Sequence, residues 1–131
     1  MGVKVVQLGT PRLAGEGVRI GTVRRPPRGV PRRQYARRDY FDVWFPVLAP
    51  SAQTMQEFRK AAPGQQTRAW NTFGRRYRQE MKRPEASRSL DVLAALSHTG
   101  NFSVGCYCQD EQRCHRSILR ELLAERGARL A

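Results

Sequence analysis

Phe102-Ser-Val-Gly-Cys-Tyr-Cys-Gln-Asp-Glu-Gln-Arg-Cys-His-Arg-Ser117 is the stretch that decides how this chain folds. Its first part, short and rich in apolar residues, predicts a strand over Phe102 to Cys108. The polar middle predicts a loop. Cys114 to Arg126 predicts a helix, with Ile118, Leu119, Leu122 and Leu123 as its apolar stripe and Gly127 at the terminator position. A strand whose carboxyl end turns into a helix is a building unit of an open α/β sheet, and such sheets bind ligands at that end.

Working outward, Val3 to Leu8 and Val18 to Val23 read as two further strands, separated by a Gly- and Pro-punctuated turn from Gly9 to Gly17. Their pairing stays open at this point. Tyr40 to Phe45 reads as extended chain, with Phe41, Val43 and Phe45 alternating as core residues do. Three helices follow. Ser51 is a good N-cap for one that runs to Ala62 and aligns Met55, Phe58 and Ala62. A second spans about Thr67 to Lys82, with Trp70, Phe73, Tyr77 and Met81 at helical spacing. A third starts near Pro84, a favourable first-turn residue, and carries Leu90, Leu93, Ala94 and Leu96 before Gly100. The expected fold class is α/β: one small layered domain over residues 1–131, a short central sheet flanked by helices, ending in the strand–loop–helix.

The bulk numbers agree with a globular chain. At 131 residues it is long enough to bury roughly two-thirds of its unfolded surface without disulfides. An apolar fraction of 40% and a charged fraction of 27% argue against wholesale disorder. The net charge of +13 is unusual and predicts a surface that attracts polyanions. All but Lys4, Lys60 and Lys82 of the 24 basic residues are arginine, a skew that codon composition would also produce. No apolar run approaches the roughly 18 residues needed to span a bilayer, and Met1 to Leu8 lacks the pattern of a signal peptide. Three cysteines crowded between positions 106 and 114 give no disulfide framework, so a reducing cytoplasm is the expected setting.

The same C-terminal stretch holds every cysteine and one of the two histidines. Cys114 falls at or next to the first turn of the last helix, where unpaired N–H groups favour an anion or a thiolate, and Arg113, His115 and Arg116 flank it. That predicts a reactive thiol at Cys114, with His115 or His98 as base and Arg113 and Arg116 holding an anionic substrate. Adjacent helical residues point about 100° apart, which makes His115 an awkward base for its neighbour. Zinc held by Cys106, Cys108, Cys114 and His115 is a second reading. Alternate residues of a regular strand lie roughly 6–7 Å apart, whereas tetrahedral zinc wants sulfurs about 4 Å apart; a metal and a cofactor are therefore not expected. The third reading makes Cys106 and Cys108 small apolar residues on the buried face of a strand. His98, before the Thr99-Gly100 turn, reads as a helix C-terminal residue bonded to the last carbonyls.

The second basic centre is Arg24-Arg-Pro-Pro-Arg-Gly-Val-Pro-Arg-Arg-Gln-Tyr-Ala-Arg-Arg38, seven arginines in a loop that Pro26, Pro27 and Pro31 keep out of helix and sheet. Arg24, Arg25 and Arg28 suit bidentate contact with phosphate or carboxylate. A solvated loop anchored by Tyr35, Tyr40 and Phe41 is the plainer alternative.

Several motifs carry a resemblance. Gly17-Val-Arg-Ile with Arg24-Arg-Pro-Pro-Arg-Gly-Val30, then Trp44-Phe-Pro-Val-Leu-Ala-Pro-Ser51, then Trp70, Phe73 and Arg76-Tyr-Arg-Gln-Glu80, resemble the YeaO-like family of uncharacterised bacterial proteins over nearly the whole chain. Departures fall at Val23 and Pro26, where that family commonly has an acidic residue and a Trp, and at Cys106-Tyr-Cys108 with Cys114-His-Arg116, which look like a branch carrying a C-H-R motif. The resemblance implies a layered α/β fold and nothing about reaction type. If the second strand and the last strand are neighbours, Arg24, Arg25 and Arg28 open on the same edge as Cys114, His115 and Arg116. The expected function is then binding of an anionic, phosphate-bearing ligand, nucleic acid or nucleotide, in a cationic pocket. The alternative is an enzyme that uses Cys114 on an anionic substrate.

Overall fold

Four strands form one parallel sheet in the order β1-β4-β2-β3, where β1 is Val3–Gln7, β2 Val18–Gly21, β3 Val43–Trp44 and β4 Phe102–Cys106. The computed structural model describes residues 2–131. Four helices accompany the sheet: α1 Ala52–Arg59, α2 Gln66–Glu80, α3 Pro84–Leu96 and α4 His115–Glu125. The last strand made is the central one. β4 pairs with β1 from Val3↔Phe102 to Gln7↔Cys106, and with β2 from Val18↔Phe102 to Gly21↔Gly105.

All five residues of β4 are buried, as expected for a parallel strand covered on both faces. On one face Val3, Phe102 and Val104 pack against Phe73, Leu90 and Leu119 of the helices. On the other the strands carry Arg19, Gly21, Ser103 and Gly105, and the loops after β1 and before β3 lie over them. A Cβ at Gly21 would run into the Phe41 ring, and one at Gly105 into the Leu8 side chain as well as the Val6 carbonyl of the neighbouring strand, so small residues let this cover sit close.

A buried ion pair fixes the cover. The Glu16 carboxylate accepts from Arg19 Nε at 2.8 Å and Nη2 at 3.0 Å, and both side chains are almost fully enclosed. Arg19 Nη1 donates to the carbonyls of Thr10 and Asp39, and Ser103 Oγ on the central strand donates to Glu16. With these partners the carboxyl of Glu16 is pulled down to about 2, chiefly by the Arg19 hydrogen bonds and against the opposing effect of burial.

Some expectations shift. The pairing of the two N-terminal strands, left open by the sequence, is resolved by β4, which lies between them. Phe41 is buried, but Val43 is 46% exposed because β3 is a two-residue edge strand. Ala62 and Leu96 are exposed too, since α1 stops at Arg59 and Leu96 is the last residue of α3. The N-cap at Ser51 is as expected: its Oγ accepts from the Thr54 N–H, and Glu80 at the end of α2 accepts from the Ser51 N–H and from both hydroxyls. Among the described residues no helix is long and apolar enough to cross a membrane.

Candidate functional site at the carboxyl edge

Since β2 and β4 run parallel side by side, their carboxyl ends open on one edge. There the segment 107–114 leaves β4, makes a short 3-10 turn at Glu111–Arg113 and enters α4. Two hydrogen bonds tie this segment to the root of the basic loop. Tyr107 Oη donates to the Arg25 carbonyl at 2.9 Å, and His115 Nε2 lies 2.8 Å from the Thr22 carbonyl.

The expected strand to Cys108 ends instead at Cys106, and this changes the sulfur geometry. Once the chain leaves the ladder, alternation no longer separates the side chains. Cys106 and Cys108 have their sulfurs 3.8 Å apart, rather than at strand spacing. The 100° objection to a Cys114–His115 contact falls for a similar reason. Cys114 is the N-cap of α4 in an extended conformation (φ −128°, ψ 148°), not a helical residue, so its Sγ lies 3.8 Å from His115 Nδ1.

His115 is fully buried, edge-on to the Tyr77 ring at 5.4 Å. A carbonyl only accepts, so Nε2 carries the proton donated to Thr22 and Nδ1 keeps its lone pair toward Cys114. Burial pushes the imidazole down to about 4, so it is neutral at physiological pH.

The three thiols are distinguished by their surroundings. Cys106 and Cys114 are buried and Cys108 is half-buried. The Cys108 thiol is pulled down, chiefly by the S–H of Cys106 3.8 Å away and then by Cys114 and the nearby charge of Arg116, whereas the same contact pushes Cys106 up. Cys114 is lowered by the neighbouring Cys106, but Cys108 and burial outweigh that and leave it raised. The thiol favoured for ionisation is therefore Cys108, which sequence reasoning assigned to packing; the signal lay in its position past the last ladder residue.

Arg116, in the first turn of α4, is 3% exposed. Its Nη2 donates to the Cys108 carbonyl at 2.6 Å, while its Nε is enclosed without a partner. Among the described residues no carboxylate lies within salt-bridge distance of it, in contrast to Arg19. The other predicted cations are arranged differently. Arg24 turns its guanidinium onto the Pro50 carbonyl and lines a hollow with Glu80, Arg83 and Glu85. Arg25, Arg28 and Arg113 are exposed. His98 stands outside the site: its Nε2 lies 2.7 Å from the Gly127 carbonyl, at the end of α4 rather than of its own helix.

A family model for DUF488-N3a, described as the active DUF488-N3 subclade, matches residues 3–127. DUF488 is a domain of unknown function and the lineage of the YeaO-like proteins, so the match agrees with the resemblance of the sequence motifs. No curated protein and no solved structure matches the chain.

Proposed function

The chain belongs to the DUF488-N3a family, the active DUF488-N3 subclade, and from that premise we propose that it binds an anionic, phosphate-bearing ligand, a nucleotide or nucleic acid, at the carboxyl edge of its sheet in the cytoplasm. One observation carries this reading: Arg116 is a buried guanidinium with an unpartnered Nε–H and, among the described residues, no carboxylate at salt-bridge distance. Burying a cation without a directly bonded carboxylate costs several kcal/mol. A phosphate group bonded to the guanidinium would balance the charge. The adjoining basic loop supports the reading, because Arg25 is held there by Tyr107 and Arg28 follows three residues on. Prolines beside these arginines limit the entropy lost when the loop closes on a ligand.

The test is calorimetric titration of the reduced protein with inorganic phosphate, a nucleoside triphosphate and a short single-stranded oligonucleotide, at several salt concentrations. Binding that weakens at least tenfold in Arg116→Met supports the reading. A steep salt dependence for the oligonucleotide marks contacts to several phosphates. Equal affinity in wild type and variant would overturn it.

Thiol chemistry on an anionic substrate is the second reading, favoured by a half-buried sulfur on the segment that Arg116 holds. The reacting sulfur is then Cys108 rather than the enclosed Cys114. Alkylation of the reduced protein, resolved by peptide mass spectrometry, separates them: Cys108 reacts first on this reading, and preferential labelling of Cys114 would exclude it.

A further inference from the structure

We infer that Cys106, Cys114 and His115 form a binding site for a thiophilic divalent cation, zinc foremost, with its fourth position beside Cys108. The Sγ atoms of Cys106 and Cys114 and a ring nitrogen of His115 all lie within 4.8 Å of one another. Zinc–sulfur bonds of about 2.3 Å and zinc–nitrogen bonds of about 2.0 Å place tetrahedral ligand atoms roughly 3.5–3.8 Å apart. Cys114 Sγ and His115 Nδ1 are 3.8 Å apart, and Cys106 Sγ lies within 4.8 Å of the other two ligand atoms. These separations leave room for a cation with little movement of the chain.

The imidazole is prepared for this role. A metal-binding histidine typically gives its second N–H to a carbonyl or carboxylate, which fixes ring and tautomer. Here the Thr22 carbonyl takes Nε2–H and leaves the Nδ1 lone pair facing the sulfurs. The ligands also come from rigid places: the last residue of the central strand, the N-cap of α4 and its first helical residue. Two thiolates, one neutral imidazole and a divalent cation sum to zero, and each thiol releases its proton on binding. The charge of Arg116 is left as it was, so this site does not depend on the anionic-ligand reading. Three protein ligands with an exchangeable fourth position is the arrangement of catalytic rather than closed structural zinc sites. Cys108, next to Cys106 and half-buried, borders that position.

The test is titration of the metal-free, reduced protein with Co²⁺, followed by its tetrahedral d–d bands and thiolate-to-metal charge transfer. One equivalent is expected to bind with both signatures, and Zn²⁺ to displace it. Cys106→Ser, Cys114→Ser and His115→Ala, checked for folding by circular dichroism, should each weaken binding by more than about 100-fold, beyond the usual effect of an outer-shell partner. Cys108→Ser should keep the stoichiometry. If a ligand variant does not fold, alkylation of wild type decides in its place: Zn²⁺ is expected to slow labelling of both Cys106 and Cys114 relative to a chelated control. Absence of saturable one-to-one binding, binding that survives all three ligand variants, loss of binding in Cys108→Ser, or labelling indifferent to Zn²⁺ would overturn the inference. Phosphate is absent from every arm, so failure here leaves the anionic-ligand reading standing.

Discussion

His115 and Thr22, 93 positions apart in sequence, meet through a 2.8 Å hydrogen bond between the imidazole Nε2 and a backbone carbonyl, with both residues buried. The bond joins the first residue of α4 to the chain just past β2, so the cysteine segment and the basic loop share one anchor. Replacing His115 by Ala removes a packed ring and strands a buried carbonyl. A loss of about 2–4 kcal/mol is expected, read as a lower urea midpoint with an unchanged slope. A change under about 1 kcal/mol would mean the anchor is dispensable.

Glu16 sets the acid limit of the fold. Its carboxyl titrates at about 2 in the folded protein against an ordinary 4.5, so its stabilisation is complete above about pH 4.5 and disappears as the pH falls toward 2. The size is about 3 kcal/mol. Glu16→Gln should therefore be destabilised at neutral pH, more so because Arg19 is left buried without its partner, and should lose stability less steeply between pH 5 and 2. Chemical denaturation at a series of pH values checks this; parallel acid profiles for the two proteins would contradict it.

Arg116→Met should behave in the opposite sense from a mutation of the Glu16–Arg19 pair. It removes a buried cation that has no carboxylate, so without ligand the variant is expected to be at least as stable as wild type, by about 0–3 kcal/mol. Phosphate should raise the melting temperature of wild type and leave the variant unmoved. Thermal scans with and without phosphate give both quantities. A destabilised variant would point to a purely structural guanidinium.

Gly21→Ala is expected to cost about 1–3 kcal/mol, because the added methyl meets the Phe41 ring that lies against β2. The double variant Gly21→Ala, Phe41→Leu should recover part of that loss beyond additivity if the clash is the cause. Denaturation of the four members of the cycle measures it.

Much of the fold was legible because strong local signals agreed with tertiary packing. The stripe Ile118, Leu119, Leu122 and Leu123 is buried as its spacing predicts, and the caps at Ser51 and Gly127 stand where their chemistry places them. What escaped was set by distant contacts. Nothing local in Phe102–Cys108 says that the ladder stops at Cys106, since the end of a strand depends on where its neighbours stop. That two-residue error carried the sulfurs to the wrong separation and hid the thiol cluster. The burial of Arg116 was equally invisible: an arginine in the first turn of a helix is ordinarily solvated. Val43 misled for another reason, because alternation beside a buried Phe41 marks a core strand only when both sides are covered.

The middle position of β4 also dictates when the sheet can exist. Both neighbours of β1, the strand Phe102–Cys106 and the bridge at Leu130, lie more than ninety residues downstream. On the ribosome, β1 waits with its backbone groups unpaired until Phe102–Cys106 and then Leu130 have emerged, a long-range closure of the sort that slows folding. The sulfur cluster is completed at the same late moment, so a stalled or truncated chain carries neither a finished sheet nor an assembled site.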